Sequence, residues 1–259
     1  MKNIKIKVIA AIFSSLFILT GCEQPVHNQN ATAHETTETV QPSVSQSENF
    51  SWDWLSKTTN SVVEESTFNN KNYYFVLDGS GSMDSRPSDC NVQEQRLKID
   101  IAKEAIEAFI NKLPNDVNIG LVAFDNSGIS ERFPLTSGDK EGFLKAMNAV
   151  AANSSTPLRS SIQVAYDKIK QQGLKQSGYG EYNLIVLTDG EYSGWDENPE
   201  SLVKEISIDS PVNTFAIGFC VSQEHSLNLP NDVYFFTAND SQSILESLDK
   251  VVAESEAGL

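Results

Sequence analysis

The sequence is poor in basic residues and has no long internal apolar run. Its 259 residues include 19 Lys and Arg against 35 Asp and Glu, which gives a formal net charge of −16. Binding to phosphate-rich surfaces needs clustered Lys and Arg, so we expect neither a nucleic-acid nor an anionic-lipid surface. After the N-terminal segment, no apolar run is long enough to span a bilayer. The length and composition are typical of one globular domain with appendages.

Histidine is also scarce. Of three His residues, only His225 lies beyond residue 49. An acyl-transfer triad needs a base beside a nucleophile, and this sequence offers little material for one. We therefore predict a protein that is not an enzyme and has no small-molecule substrate.

The N-terminal residues have the features of an export signal. Lysines near the start precede an apolar run over 8–19, and the residues at 19–22 are Leu-Thr-Gly-Cys. This order resembles the bacterial lipobox, whose Cys is acylated after cleavage. The resemblance implies a signal peptide over 1–21 and a lipid anchor such as palmitate on Cys22, with a plain secretory signal as the alternative. Attachment through more than one acyl chain is stable, so we expect a bacterial cell-envelope lipoprotein on the outer membrane or the cell membrane, with its domain facing the periplasm or the exterior.

Two segments separate the anchor from the domain. Beyond Cys22, the stretch to residue 49 is dominated by Ser, Thr, Asn and Gln and has no aromatic, Lys or Arg residue, which predicts a flexible tether over 22–49. The segment 50–70 then brings an aromatic cluster, for which we predict packing on the domain edge, with an exposed docking patch as the alternative. The domain would occupy 71–259. The cluster consists of Phe50, Trp52, Trp54 and Leu55.

Cysteine is limited to three residues. With Cys22 assigned to the anchor, Cys90 and Cys220 remain. An even pair outside the cytoplasm favours a disulfide, and two separate thiols are the alternative.

From residue 71 onward, short apolar runs alternate with segments of helical periodicity. This alternation predicts an α/β fold, a doubly wound and mostly parallel sheet with helices on both faces. The run at 184–187 is apolar without alternation, as expected of a central strand buried on both sides. The predicted strands are 73–77, 118–124, 130–133, 184–187, 212–219 and 233–236, and the predicted helices are 97–113, 139–150, 158–173 and 244–252.

Polar residues follow the predicted strands. Residues 78–82, Asp-Gly-Ser-Gly-Ser, supply one carboxylate and two hydroxyls after the first strand, Thr156 precedes the third helix, and Asp189 follows the central strand. Hard cations such as Mg²⁺ take oxygen ligands and commonly use only one or two carboxylates. Each segment alone also fits a turn or a helix cap. Because loops after parallel strands meet at one edge of a doubly wound sheet, we expect the three segments to lie together.

Asp78-x-Ser80-x-Ser82, Thr156 and Asp189 match the metal-ion-dependent adhesion site of von Willebrand factor type A domains, which have a Rossmann-like fold. The chain resembles this family from about residue 71 to residue 253. The resemblance implies that Asp78, Ser80 and Ser82 hold a divalent cation, with Thr156 and Asp189 binding it directly or through water. Mg²⁺ is the expected ion, with Mn²⁺ or Ca²⁺ as alternatives. The Asp or Glu of a partner protein would fill the open coordination position.

Competing interpretations of the loop fit less well. A dinucleotide fingerprint needs a third glycine where Asp84 stands, and a phosphatase resembling haloacid dehalogenases would need a second acid at Ser80. We therefore predict an adhesion or capture module. A subunit that assembles or regulates an envelope complex is the second candidate, and a hydrolase is the third.

Several residues on the predicted edge loops are candidates for selecting the partner, since binding residues are frequently found on loops held by a rigid scaffold. Surface solvation is the alternative for each charged one. These candidates are Met83, Arg86, Asp125, Arg159, Tyr192 and Trp195.

Overall fold

Six strands form one sheet in the computed structural model, which describes residues 69–90 and 95–257. The strand order is β3-β2-β1-β4-β5-β6, and all neighbours are parallel except β2 and β3. In chain order the elements are β1 (Lys71–Asp78), α1 (Lys98–Lys112), β2 (Asn118–Asp125), β3 (Gly128–Ser137), α2 (Lys140–Asn148), α3 (Leu158–Lys175), β4 (Glu181–Thr188), α4 (Glu200–Asp209), β5 (Val212–Phe219), β6 (Tyr234–Ala238) and α5 (Ser241–Ala257).

The strand order reverses between β1 and β4. Strands β2 and β3 follow β1 towards one edge of the sheet, and β5 and β6 follow β4 towards the other. Strands β1 and β4 are hydrogen-bonded neighbours as far as Leu77 and Leu187. Ligands of open α/β sheets bind at such a switch point, outside the carboxyl ends of the strands. The residues just after β1 and β4 therefore lie side by side at the edge where a site is expected.

Helices cover both faces of the sheet and bury its apolar residues. On one face α1, α2 and α5 pack in a core where the ring of Phe75 meets Phe109 and Phe143 edge-on, at centroid distances of 6.1 and 5.7 Å. On the other face α3 and α4 contribute Leu158 and Leu202 to a second core. Strands buried from both sides explain the continuous apolar runs of β1 and β4, and the predicted doubly wound sheet is confirmed.

The structure changes two details of the predicted elements. Strand β3 is ten residues long rather than four, because it pairs along β2 as an edge strand whose residues are mostly only partly buried, which weakens its apolar signal. Helix α4 was missed because its buried face holds only Leu202, Val203 and Ile206.

The predicted signal peptide, the tether and the aromatic cluster fall before residue 69, outside the described residues. Within the part of the chain that the structure covers, no helix combines the length and the apolarity needed to cross a membrane.

Cys90 and Cys220 form a disulfide, with their Cα atoms 5.1 Å apart. The bond joins the 3-10 turn Ser88–Cys90 to the residue that follows β5. The N–H of Cys220 donates to the carbonyl of Ala238 at 2.8 Å, which fixes that end of the bridge to β6. The loop that separates the motif from α1 is therefore tied to the far half of the sheet.

Candidate metal centre

The carboxylate of Asp78 is the fixed point of the site. It is fully buried at the end of β1. Its Oδ1 accepts the backbone N–H of Ser80 at 2.7 Å, and its Oδ2 accepts the hydroxyl of Thr188, the last residue of β4, at 2.6 Å. The carboxyl ends of the two central strands are thus joined through this one side chain.

A chain of oxygen atoms leads from the motif to Asp189. The hydroxyl of Ser82 donates to Asp189 Oδ1 at 2.6 Å, and the Ser80 and Ser82 hydroxyl oxygens are 2.9 Å apart. Because Ser82 gives its only proton to Asp189, Ser80 must donate to Ser82. The structure therefore brings Asp78, Ser80, Ser82 and Asp189 together, although Asp78 and Ser82 come from a different strand end than Asp189.

Gly79 lets the motif pass close to the end of β2 and bonds to a neighbouring loop. A Cβ on Gly79 would lie 2.4 Å from the carbonyl oxygen of Phe124, so only glycine fits. The Gly79 carbonyl accepts the N–H of Asn153 at 2.9 Å, and the N–H of Gly81 donates to Ser154 at 2.8 Å. These two bonds bring the loop that carries Thr156 to the motif.

Thr156 joins that loop to the segment after Asp189. Its N–H donates to the Ser193 hydroxyl at 2.6 Å, and its carbonyl accepts the Ser193 N–H at 2.9 Å. Thr156 is buried, and both of these bonds use its backbone. All three predicted segments therefore meet at one edge, with Thr156 anchored by its main chain.

The electrostatics of the site favour a cation. Burial raises the pKa of Asp78 to about 6, and the negative charge of Asp189 adds to this, while hydrogen bonds from Ser80 and Thr188 act in the opposite direction. An ionised Asp78 is thus costly in the ion-free protein. A bound cation would remove that cost.

The donor set also fits a hard divalent ion. In the described residues, no group of three or more His, Cys, Asp or Glu side chains is placed to hold a metal. An ion here would rely on two carboxylates supplemented by serine hydroxyls, an all-oxygen set that suits Mg²⁺. Ser82 is exposed and Asp78 is buried, so the set has one side facing solvent.

Lys98, the first residue of α1, contacts the site although the sequence motifs do not include it. Its Nζ lies 2.9 Å from Asp189 Oδ2, and the two side chains are only 5% and 0% exposed. The sequence did contain an indication of this contact, because Lys98 falls on the buried stripe of α1 with Ala102, Ala105 and Phe109. A lysine on an apolar stripe indicates a buried acidic partner.

His225 was also missed as a support of the site. Its Nδ1 accepts the N–H of Leu227 at 3.1 Å, which leaves the proton on Nε2, and Nε2 donates to the Gly190 carbonyl at 2.9 Å. The ring stacks on Phe235 at a centroid distance of 5.5 Å. His225 thus holds the backbone next to Asp189.

Two of the six partner-selecting candidates are wrong. Met83 is fully buried, because the 3-10 turn Gly81–Asp84 directs it into the core beside α1. Asp125 is buried and paired with Arg132 at 2.7 Å. Burial acts to raise the Asp125 pKa, but hydrogen bonds from Ser127 and Ala151 and the charge of Arg132 hold it below its usual range. Neither side chain can reach a partner.

The other four candidates lie at the surface to different degrees. Arg86 is exposed, and its Nε donates to the Gln95 carbonyl at 3.0 Å. Arg159 donates to the Ser201 hydroxyl at 2.8 Å. Tyr192 is partly buried and packs against the second core. Trp195 is 95% exposed.

Comparison with known proteins places part of the chain in a known family model. Residues 73–191 match the family model described as von Willebrand factor type A domain. No curated protein matches the chain.

Solved structures share the fold at low identity. A von Willebrand factor type A protein from Catenulispora acidiphila is 18% identical with a TM-score of 0.55, over 72% of this chain and 43% of that one. Proximal thread matrix protein 1 from the mussel byssus, with a zinc-occupied MIDAS motif, is 16% identical with a TM-score of 0.53, over 71% and 47%. The pilus adhesin SpaC from Lactobacillus rhamnosus GG is 16% identical with a TM-score of 0.52, over 77% and 31%.

The chain spans less than half the length of each of these three proteins, and the likeness shows the fold alone. The family match and the strand order agree with each other. The described domain therefore has the von Willebrand factor type A fold, and its residues 73–191 carry the match to that family.

Proposed function

We propose that the chain is a metal-ion-dependent protein-binding module. Asp78, Ser80 and Ser82 would hold a divalent cation, with Thr156 and Asp189 binding directly or through water, and the ion would take an Asp or Glu carboxylate from a partner protein. The observation that carries the proposal is the hydrogen-bond network that links Asp78 through Ser80 and Ser82 to Asp189, with its exposed side at Ser82.

Mg²⁺ is the proposed ion, with Mn²⁺ or Ca²⁺ as alternatives. Mg²⁺ usually binds through one or two carboxylates and keeps part of its water shell, which the two acids and exposed serine of this site would allow. The zinc-occupied motif of the mussel protein supports a divalent ion at such a motif without fixing its identity.

We further propose that the module is not an enzyme and is anchored through Cys22 in the bacterial envelope. His225, the only histidine beyond residue 49, has both ring nitrogens engaged with the backbone, so it is a poor candidate for a general base. The pilus adhesin in the comparison supports a surface-binding role for the fold. The anchor is supported by the lipobox-like residues at 19–22.

The proposal is tested by calorimetric titration of Mg²⁺ into the purified chain. We expect one ion per chain, with binding lost after chelation and restored by added ion. The matched control is Asp84→Ala, which removes an exposed acid from the same loop and should leave the affinity unchanged. Absence of binding by the wild-type chain would overturn the proposal.

We propose Trp195 as a second contact for the partner. It lies on the loop that follows Asp189, beside an open depression of about 480 Å³ that Arg159 and Lys204 also line. The hydroxyl and the N–H of Ser160, in the first turn of α3, both donate to Glu197, at 2.5 and 2.9 Å, which holds this loop in place. Trp is enriched among the residues that dominate binding energy at interfaces, and a fixed loop lowers the cost of ordering it.

Trp195→Ala should therefore reduce partner binding without changing the affinity for the ion. We expect chelator-sensitive capture from envelope extract to fall about tenfold or more, as for loss of a hot-spot Trp, with the Mg²⁺ affinity unchanged. The control is Tyr179→Ala, which removes another exposed aromatic, 73% accessible, next to the amino end of β4. An equal loss in both variants would contradict a specific role for Trp195.

A further inference from the structure

The buried pair of Lys98 and Asp189 is unusual in this site. Lysine is almost never fully buried unless it is paired, and burying two charges has a large desolvation cost. The pair is nonetheless formed at 2.9 Å, and the backbone N–H of Lys98 donates to the Ser85 carbonyl at 2.9 Å. The start of α1, the loop after the motif and Asp189 are therefore fixed together.

The two oxygens of Asp189 have different partners. Oδ1 accepts from Ser82, on the side of the motif, while Oδ2 accepts from the ammonium of Lys98. A cation held by the motif would approach from the Ser82 side. Lys98 can therefore stay on Asp189 when the ion is bound.

The charge count shows what Lys98 changes. Asp78 and Asp189 carry two negative charges and Lys98 one positive charge, so the ion-free centre has one net negative charge. A bound divalent ion would change the net charge of the centre from −1 to +1. Without Lys98 the loaded centre would be neutral, and its attraction for a partner's carboxylate would be weaker.

We propose that Lys98 is a positioning residue that sets the charge of the metal centre. Its ammonium acts as a fixed counter-cation on Asp189, which keeps the centre assembled before the ion binds and leaves the loaded centre positive for an acidic partner. This inference rests on the proposed ion-binding function. It predicts that Lys98 weakens ion binding, whereas a residue with a purely structural role would strengthen it or leave it unchanged.

The test is Lys98→Met in the full chain, with Mg²⁺ affinity measured by calorimetry and unfolding measured with and without ion. We expect Mg²⁺ to bind about tenfold more tightly or better, since a charge close to the ion is removed. We also expect the melting temperature of the ion-free protein to fall by roughly 10 °C, because Asp189 loses its partner, and to recover at saturating Mg²⁺.

Matched variants separate charge from packing. Lys98→Gln is a second neutral variant in case Lys98→Met does not fold, and it should also bind Mg²⁺ more tightly. Lys98→Arg keeps the charge and should behave like the wild type. Lys112→Met removes a lysine from the same helix, where it pairs with Asp249 at the surface, and should leave the ion affinity unchanged.

The outcomes distinguish this inference from the proposed function. If the wild type binds Mg²⁺ and both neutral variants bind it equally or less tightly, the role of Lys98 is overturned while ion binding stands. If only the neutral variants bind, Lys98 acts as the resident cation and the proposed ion binding by the wild type fails. If no variant binds, both are overturned.

Discussion

Asp78→Asn is expected to abolish Mg²⁺ binding and, at the same time, to stabilise the ion-free protein at neutral pH. The variant keeps the shape of the side chain and removes the charge that an ion needs. Since burial raises the pKa of Asp78 from 3.8 to about 6, the ionised form is disfavoured in the folded state. Asparagine avoids this cost, and we expect a gain of about 1–3 kcal/mol in the free energy of unfolding at pH 7, after allowing for altered hydrogen bonds.

The pH dependence follows from the direction of this shift. Between about pH 4 and pH 6 the folded protein holds a proton on Asp78 that the unfolded chain has released. The Asp78 contribution therefore lowers the stability of the ion-free wild type as pH rises through this range, and the full cost is present above it. The advantage of Asp78→Asn should thus be largest at pH 7 and small at pH 4.

Thermal unfolding in chelator, and then in saturating Mg²⁺, measures both effects. Ion binding should stabilise the wild type by about 3 kcal/mol at an ion concentration one hundred times Kd. It should leave the stability of Asp78→Asn unchanged, so the advantage of the variant in chelator should be cancelled or reversed. Asp84→Asn serves as the control for an exposed acid on the same loop. A variant that still binds Mg²⁺, or that is less stable than the wild type in chelator at pH 7, would contradict this account.

The position of the candidate site was predictable because it depends on strand ends. Apolar runs located β1 and β4, and the polar residues that follow them meet because parallel strands end at the same edge. The contact between Asp78 and Thr188 is the direct result, since it joins the last residues of those two strands. The fold class followed from the same periodicity.

The side chains that support the site were less predictable, because sequence position does not give side-chain direction or reach. Lys98 starts a helix whose stripe was recognised, but its partner is 91 residues away in the chain. His225 acts on Gly190 from a segment without regular structure. Met83 lies on the predicted edge loop, but its side chain points into the core and not towards a partner, because the 3-10 turn Gly81–Asp84 directs it inward.

The disulfide has the second large expected effect. The double variant Cys90→Ala with Cys220→Ala should lose about 4 kcal/mol of unfolding free energy, because the bond closes a loop of 130 residues and restricts the unfolded chain. The Mg²⁺ affinity should change little, since Asp78 and Asp189 are held by hydrogen bonds that do not involve the bridge. We therefore expect the bridge to stabilise the fold of the whole domain and to have little effect on the Mg²⁺ affinity.

Urea unfolding with and without reductant checks this expectation. Reductant should destabilise the wild type to the level of the double variant and leave that variant, whose remaining cysteine is Cys22, unchanged. A loss below about 1 kcal/mol would mean that the bridge adds little to the stability of the fold, since native disulfides typically contribute 2–5 kcal/mol. A loss of Mg²⁺ affinity in the double variant would instead show that the loop between the motif and α1 needs the bridge to hold Ser82 in place, because the N–H and the hydroxyl of Ser85, within that loop, both donate to the Ser82 carbonyl.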